Sequence, residues 1–129
     1  DRSWPEMAQQ RCLEARAVID TLPRAAAATS PADRADDLDL ATDVLADMVA
    51  DLALLPGGID DDTRLIGMWL EDWAIYASDR RTHADRLRLE GDVQPLLTAL
   101  PSGTGSVLKR MNGFARVNDM EACLDPGDV

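Results

Sequence analysis

The chain has 129 residues, of which 46% are hydrophobic and 4% aromatic, a size and composition typical of one globular domain and too apolar for a disordered chain. Its formal net charge is -11, from 24 acidic and 13 basic residues, and such a surface repels nucleic acid and anionic lipid head groups. Ala, Leu and Arg are abundant while aromatic and β-branched residues are scarce, which favours an all-α fold. The negative charge argues against a nucleic-acid partner.

The first predicted helix spans about residues 5–22. Ser3 and Glu6 have the spacing of a capping box with Ser3 as the N-cap, and Pro5 suits a first helical turn. Pro23 ends the pattern. The predicted inward face consists of Met7, Cys12, Ala15, Ile19 and Leu22.

The second predicted helix spans about residues 31–55. Ser30 precedes Pro31, which is the pattern of an N-cap followed by proline at the first helical position, and the run Pro56-Gly57-Gly58 ends the helix. Apolar residues recur every three or four positions and predict one buried stripe. They are Leu38, Ala41, Leu45, Met48, Leu52 and Leu55.

The third predicted helix spans about residues 61–89. It begins in an acidic run, Asp60-Asp61-Asp62, which suits the positive end of a helix dipole, and Gly91 ends it. Its predicted inward stripe contains most of the aromatic residues of the chain. The members are Leu65, Trp69, Trp73, Tyr76, Arg80, Ala84 and Leu87.

A fourth helix is predicted over about residues 106–118, and residues 93–100 have a pattern compatible with a short additional helix broken by Pro101. The inward residues of the fourth helix are Val107, Met111, Phe114 and Val117. Four amphipathic helices joined by loops of this length predict a four-helix, bundle-like single domain over residues 1–129.

Acidic and basic residues are segregated along the chain. Residues 33–62 contain ten acids and one base, whereas residues 80–88 contain four arginines and one acid. We expect the fold to bring the two regions together, because opposite charges would relieve the repulsion within the first. The row Asp43, Asp47 and Asp51 either attracts a cation or a basic partner or is simply a solvated face.

Cys12 and Cys123 are the two cysteines of the chain, and neither belongs to a zinc or redox motif. A disulfide between them would close a long loop and stabilise the fold by up to about 4–5 kcal/mol. Because disulfides persist mainly in oxidising compartments, the pair predicts a location outside the cytoplasm. Two buried free thiols in a cytosolic protein are the alternative.

The third helix concentrates chemically versatile side chains on one broad face: Trp69, Asp72, Trp73, Tyr76, Asp79, Arg80 and His83. One interpretation is a small-molecule or metal-binding site on this helix. The other is structural, with the aromatic residues in the core and the charged residues in ion pairs that fix the helix register. The chain has a single histidine and no second helix with matching ligands, so we expect no metal and no cofactor.

Two stretches resemble a known group of proteins. One is Trp69-Leu70-Glu71-Asp72-Trp73 followed by Tyr76 and Asp79-Arg80, and the other is the tail from Asn118 through Met120, Cys123 and Pro126 to Asp128-Val129. Together they resemble uncharacterised, membrane-anchored bacterial proteins with a small extracytoplasmic helical domain. That group has no known activity, so the resemblance implies a location and no chemistry.

No catalytic motif is present: the chain lacks a nucleophile elbow and a phosphate loop. The sequence therefore predicts a non-catalytic interaction or sensing domain of a bacterial cell-envelope protein. Its partner would be a protein or a small ligand at the envelope, and contact with the membrane would be made only by a segment preceding Asp1. A small-molecule or metal-binding domain centred on the third helix is the alternative.

Overall fold

Helices account for the regular structure of the residues that the computed structural model describes, 2–57 and 60–129. Four α-helices follow one another in this part of the chain: α1 (Ser3–Ile19), α2 (Pro31–Leu52), α3 (Asp60–Glu90) and α4 (Val107–Val117). Short 3₁₀ turns lie at Ala25–Ala27 and Glu121–Cys123. The prediction of an all-α, bundle-like single domain is confirmed.

Serine side chains cap two of the helices, and the cap of α2 is the one that the sequence predicts. Ser30 Oγ accepts a hydrogen bond from the Asp33 N–H at 3.1 Å, at the start of α2. Ser106 Oγ accepts one from the Lys109 N–H, also at 3.1 Å, at the start of α4. Each bond satisfies one of the backbone N–H groups that a helix start leaves free.

The predicted cap of α1 is wrong. The helix begins at Ser3 itself, and Arg2 occupies the N-cap position without a side-chain capping bond. The Arg2 carbonyl accepts the hydrogen bond from the Glu6 N–H at 3.1 Å. The first helical hydrogen bond therefore forms one residue earlier than the capping box would place it, and Ser3 lies inside the first turn.

Both α1 and α2 end three residues before their predicted limits. The last residues of each prediction form tight turns, in which the Leu22 N–H donates to the Ile19 carbonyl at 3.0 Å and the Leu55 N–H donates to the Leu52 carbonyl at 3.3 Å. A proline follows Leu22 and another follows Leu55. Because the residue before a proline avoids the α conformation, the helices tighten and stop there. The limits of α3 and α4 lie within one residue of those predicted.

The short helix considered for residues 93–100 does not form. The segment is extended, and Ala99 pairs with Ser106 in an isolated antiparallel bridge. Its backbone groups are bonded across a turn, with the Val107 N–H donating to the Thr98 carbonyl at 2.9 Å. Pro95 disfavours the α conformation at Gln94, the residue before it, so the pairing across the turn forms instead.

Helices that follow one another in sequence run antiparallel and pack together. In the α2–α3 pair, Arg80 Nε donates to Thr42 Oγ1 at 2.8 Å and Arg88 Nη2 donates to Asp36 Oδ1 at 2.9 Å, which fixes the register. α1 packs against α2, and α4 packs against α3. The main core contains Trp4, Leu45, Met48, Leu52, Trp69, Trp73, Tyr76, Met111 and Met120.

A disulfide and the segment around it close the side of the bundle between α1 and α4. Cys12 and Cys123 are bonded, with their Cα atoms 5.2 Å apart, and both are fully buried. The alternative of two free thiols is therefore wrong. Residues 120–129, here called the strap, run along α1. Arg16 Nε donates to the Ala122 carbonyl at 2.7 Å and Arg16 Nη2 to the Leu124 carbonyl at 3.1 Å.

The first turns of α3 extend beyond the end of α2. Because Arg80 is level with Thr42, the last residue of α2, Leu52, is level with about residue 70 of α3. Residues 60–68, here called the overhang, therefore continue for about 13 Å past α2. Leu65 on the overhang is 45% exposed although its spacing predicts burial, because α2 does not reach it.

Val117 is the second apolar residue that the structure exposes against prediction, with 83% of its surface open. It is the last residue of α4, and α4 ends beside the overhang. The bundle stops at this level, so no further helix covers the side chain.

Candidate functional site

The aromatic residues of the predicted helix-three site lie in the core. Each has at most 1% of its surface exposed: Trp69, Trp73 and Tyr76. The Trp69 indole donates from Nε1 to the Met111 carbonyl at 3.1 Å, meets the edge of Trp4 at 5.9 Å and stacks on Phe114 at 5.3 Å. These contacts join α1, α3 and α4, so the Trp69 ring has a structural role. The Trp73 indole N–H is buried and bonds to none of the described residues.

Asp72 forms an ion pair with a neighbouring helix. Its carboxylate is buried and accepts two hydrogen bonds from Arg110, one from Nε at 2.9 Å and one from Nη2 at 2.8 Å. The hydrogen bonding to Asp72 raises the pKa of Arg110. Arg110 is half exposed, so this pair ties α4 to α3 at the bundle surface.

Arg80 is the most deeply buried charge among the described residues, with none of its side chain exposed. Besides the bond to Thr42, its Nη1 donates to Tyr76 Oη at 3.4 Å, and its two terminal nitrogens bind both oxygens of Asp128 in the strap. Burial lowers the pKa of Arg80, but hydrogen bonds and attraction from Asp128 outweigh burial and leave the pKa raised. The strap thus supplies the counter-charge of a buried cation.

Asp79 forms no ion pair with His83. Its two carboxylate oxygens accept the N–H and the hydroxyl of Thr98, each at 2.7 Å, which fixes the extended segment against α3. Asp79 is only partly buried. The structure therefore uses this carboxylate to hold a loop, and the pairing with an imidazole four residues later is not formed.

His83 is 5% exposed, and its Nδ1 bonds to none of the described residues. Burial lowers the pKa of His83, and the positive charges of Arg86, Arg34 and Arg80 lower it further. The imidazole is therefore held in its neutral form at neutral pH. No group of three or more His, Cys, Asp or Glu side chains that could hold a metal ion occurs in the described residues.

The acidic and basic regions of the sequence meet at the α2–α3 surface, as predicted. Arg81 binds Asp39 at 3.1 Å and also Asp43, and Arg88 binds Asp39 at 2.6 Å. The hydrogen bonds that the two arginines donate to the aspartates raise the pKa of both arginines. These exposed pairs relieve local repulsion, although each contributes less than about 1 kcal/mol to stability.

The Asp43, Asp47 and Asp51 row is largely neutralised by arginine. Asp43 is bound by Arg81, and Asp51 accepts from Arg11 Nε at 2.8 Å. Asp47 is exposed and lies between them. The row thus connects α2 to α3 on one side and to α1 on the other.

A groove opens at the end of the bundle where α1 and α3 begin and α4 ends. Its volume is about 620 Å³. Apolar side chains form most of its walls, and Arg2, Asp62 and Asn118 provide polar groups. The apolar lining residues are Trp4, Pro5, Leu65, Ile66, Phe114 and Val117. The floor is continuous with the core, because Trp4 and Phe114 both contact the buried Trp69 ring.

The groove contains none of the seven helix-three residues named from the sequence. Trp69 lies directly behind it, and the others lie further along α3. Leu65 and Val117 were assigned to inward stripes, and they contribute exposed apolar side chains to the groove lining. The sequence contains no signal for this, because the groove depends on three helix ends that are far apart in the chain.

Two other open cavities are smaller than the groove. A cavity of about 200 Å³ lies beside Asp128, between the strap and the segment that follows α1, and its walls carry Asp20, Arg24 and Asp37. A wider depression between α1 and Leu55 is almost flat. At about 620 Å³, the groove at the end of the bundle is the largest of these three cavities.

No described helix combines the length and the apolar character needed to cross a bilayer. Scans against protein-family models and searches of curated proteins and solved structures gave no match to this chain.

Proposed function

We propose that this chain is a non-catalytic interaction domain that binds a partner protein through the groove at the end of the bundle. The main observation behind this proposal is the apolar lining of the groove, in which Leu65 and Val117 are exposed. The floor of the groove packs against the core through Trp4 and Phe114. Leu54 and Met68 add exposed apolar surface at the same end of the bundle. Contiguous apolar surface bordered by polar groups is typical of a binding site in soluble proteins.

We further propose that the domain works outside the cytoplasm, at a bacterial cell envelope. The disulfide supports this location, because disulfides form and persist mainly in oxidising compartments. The resemblance to membrane-anchored bacterial proteins supports it as well. Attachment to the membrane by a segment ahead of Asp1 belongs to the same proposal.

Site-specific photo-crosslinking tests the interaction. A photoreactive amino acid replaces Val117 in the full chain, which is incubated with envelope extract of the native host. The matched control carries it at Leu89, which is 85% exposed at the opposite end of α3. We expect crosslinked protein from position 117 alone. Equal crosslinking from both positions, or none from either, would contradict a binding role for the groove.

A small apolar ligand is the second candidate, since the groove volume lies within the range of roughly 300–1,000 Å³ typical of ligand pockets. A thermal-shift screen of apolar metabolites separates the two, because a ligand at one hundred times its Kd adds about 2.7 kcal/mol to the free energy of unfolding. The same screen, with a metal-content assay, tests ligand binding by the seven residues of α3.

A further inference from the structure

We propose that Arg80 forms a carboxylate-binding site, which Asp128 occupies in this structure, and that a small carboxylate from solution can take the place of Asp128. The exchange lifts the part of the strap that carries Asp128, residues 126–129, here called the tip. Arg80 lies about 22 Å along α3 from Leu65 of the groove, so this inference does not depend on the interaction proposed there.

The Arg80 guanidinium is oriented by α2 and α3 without the strap. Its Nε donates to Thr42 Oγ1 at 2.8 Å, and its Nη1 donates to Tyr76 Oη at 3.4 Å. The guanidinium carbon also lies 5.7 Å from the centre of the Tyr76 ring. Both terminal nitrogens donate to the two oxygens of Asp128. Such a planar fork of donors matches the shape of a carboxylate, whichever molecule carries it.

The tip is attached to the helices less firmly than the rest of the strap. Residues 120–125 are anchored by the disulfide at Cys123 and by Asn112, whose Nδ2 donates to Asp125 Oδ1 at 2.7 Å. Among the described residues, the hydrogen bonds between the tip and the helices all go to the Asp128 carboxylate. Gly127 has a positive φ of 75°, which glycine adopts without strain. The tip can therefore move while residues 120–125 stay in place.

The cavity of about 200 Å³ beside Asp128 provides both a route and room for a ligand. Asp128 lines this cavity and also binds Arg80, so its departure opens the guanidinium to the cavity. The apolar walls include Ile19 and Leu22, and the other charged wall residues are Asp20, Arg24 and Asp37. Two acids against one base disfavour a second negative charge on the ligand. Since a cavity of about 150 Å³ holds benzene, the ligand is a monocarboxylate with a tail of roughly six non-hydrogen atoms or fewer.

Ligand binding and release of the tip are coupled. A buried guanidinium without a counter-charge is strongly unfavourable, so Asp128 and the ligand exchange rather than leave Arg80 unpaired. Because the ligand binds the open arrangement alone, it shifts the population toward that arrangement. Competition from Asp128 also makes its affinity weaker than in a variant that lacks this side chain. The domain thereby converts the presence of a small carboxylate into a change in its strap.

Acetate tests the site in the variant Asp128→Gly, because it has the non-hydrogen atoms that the substitution removes. Compared with sodium chloride at equal concentration, sodium acetate at ten times its Kd is expected to raise Tm by about 5 °C, with saturation at higher concentration. The matched control Arg80→Met/Asp128→Gly lacks the guanidinium and is expected to show no such gain. A gain without saturation, or an equal gain in the double variant, would overturn the site.

The unmodified chain tests the exchange and does not require the variant to fold. In an NMR titration with butyrate, whose tail reaches into the cavity, the amide signals of Gly127, Asp128 and Val129 are expected to move toward random-coil positions. The Kd is expected to be at least tenfold weaker than for Asp128→Gly. Unchanged tip signals, or equal Kd values, would overturn the displacement. Crosslinking at position 117 is expected to be the same with and without butyrate, so this proposal and the groove interaction fail separately.

Discussion

Replacing Asp128 with asparagine tests whether charge holds the strap on the bundle. The Arg80 side chain is fully buried, and that of Asp128 is 20% exposed. Both Asp128 oxygens accept hydrogen bonds from the guanidinium. Asparagine keeps the shape of the side chain but removes its charge, and its amide nitrogen cannot accept a hydrogen bond. At most one of the two bonds survives, and Arg80 loses its counter-charge.

The expected cost follows from the burial of the pair. Removing one partner of a fully buried ion pair costs about 3–5 kcal/mol, and because water reaches part of Asp128 we expect about 2–3 kcal/mol. For a domain of this size, that loss lowers Tm by about 10 °C. Equilibrium unfolding in urea measures the free energy directly.

The matched control is the same substitution at Asp119. Its side chain is 84% exposed, and its oxygen lies 3.9 Å from Arg2, so the change is expected to cost less than about 0.5 kcal/mol. Asp119 has a positive φ of 56°, a conformation that asparagine also adopts. If Asp128→Asn were as stable as Asp119→Asn, the strap would not depend on the ion pair. The double variant Arg80→Met/Asp128→Asn should recover part of the loss, since it leaves no unpaired buried charge.

Three further predictions use the single tyrosine, the single histidine and the disulfide. Burial raises the pKa of Tyr76 from 10.0 to about 12, so phenolate absorbance should titrate near pH 12 in the folded protein. Because the unfolded chain ionises first, the free energy of unfolding should be constant below pH 10 and fall by about 2–3 kcal/mol by pH 12; a folded midpoint near 10 would contradict the burial argument. The lowered pKa of His83 means that its stabilising contribution is present above pH 6.5 and lost as the pH falls below that value, and NMR of the imidazole should show a midpoint below 6.5. Replacing Cys12 and Cys123 together by alanine should cost up to about 4 kcal/mol in urea unfolding, and a cost below about 1 kcal/mol would show that the bond does not hold the strap.

Local signals along the chain determined most of the secondary structure. Ser30 and Ser106 cap helices, and prolines stop α1 and α2, because each effect acts within about four residues. The meeting of acidic α2 with the basic end of α3 also followed from the sequence, since it needed only that two neighbouring helices pack antiparallel. The disulfide was predicted for a comparable reason, as two cysteines allow a single intramolecular pair.

The candidate site could not be predicted in the same way. Periodicity identified the side of α3 that faces inward, but it did not show that Asp72, Asp79 and Arg80 bind partners on α4, on the extended segment and in the strap. Nor did it separate Trp69, which is buried, from Leu65 one turn earlier, which is exposed.

The sequence by itself thus determined the helices and most of their inward faces, and it favoured the covalent link between α1 and the strap. The tertiary structure alone decided how far α3 extends beyond α2, and with it the exposure of Leu65 and Val117 and the existence of the groove. The physical reason is the distance along the chain over which the deciding contacts act. Helix formation depends on contacts within a few residues, whereas the level at which a bundle stops covering a helix depends on the register of packed side chains distant in the chain.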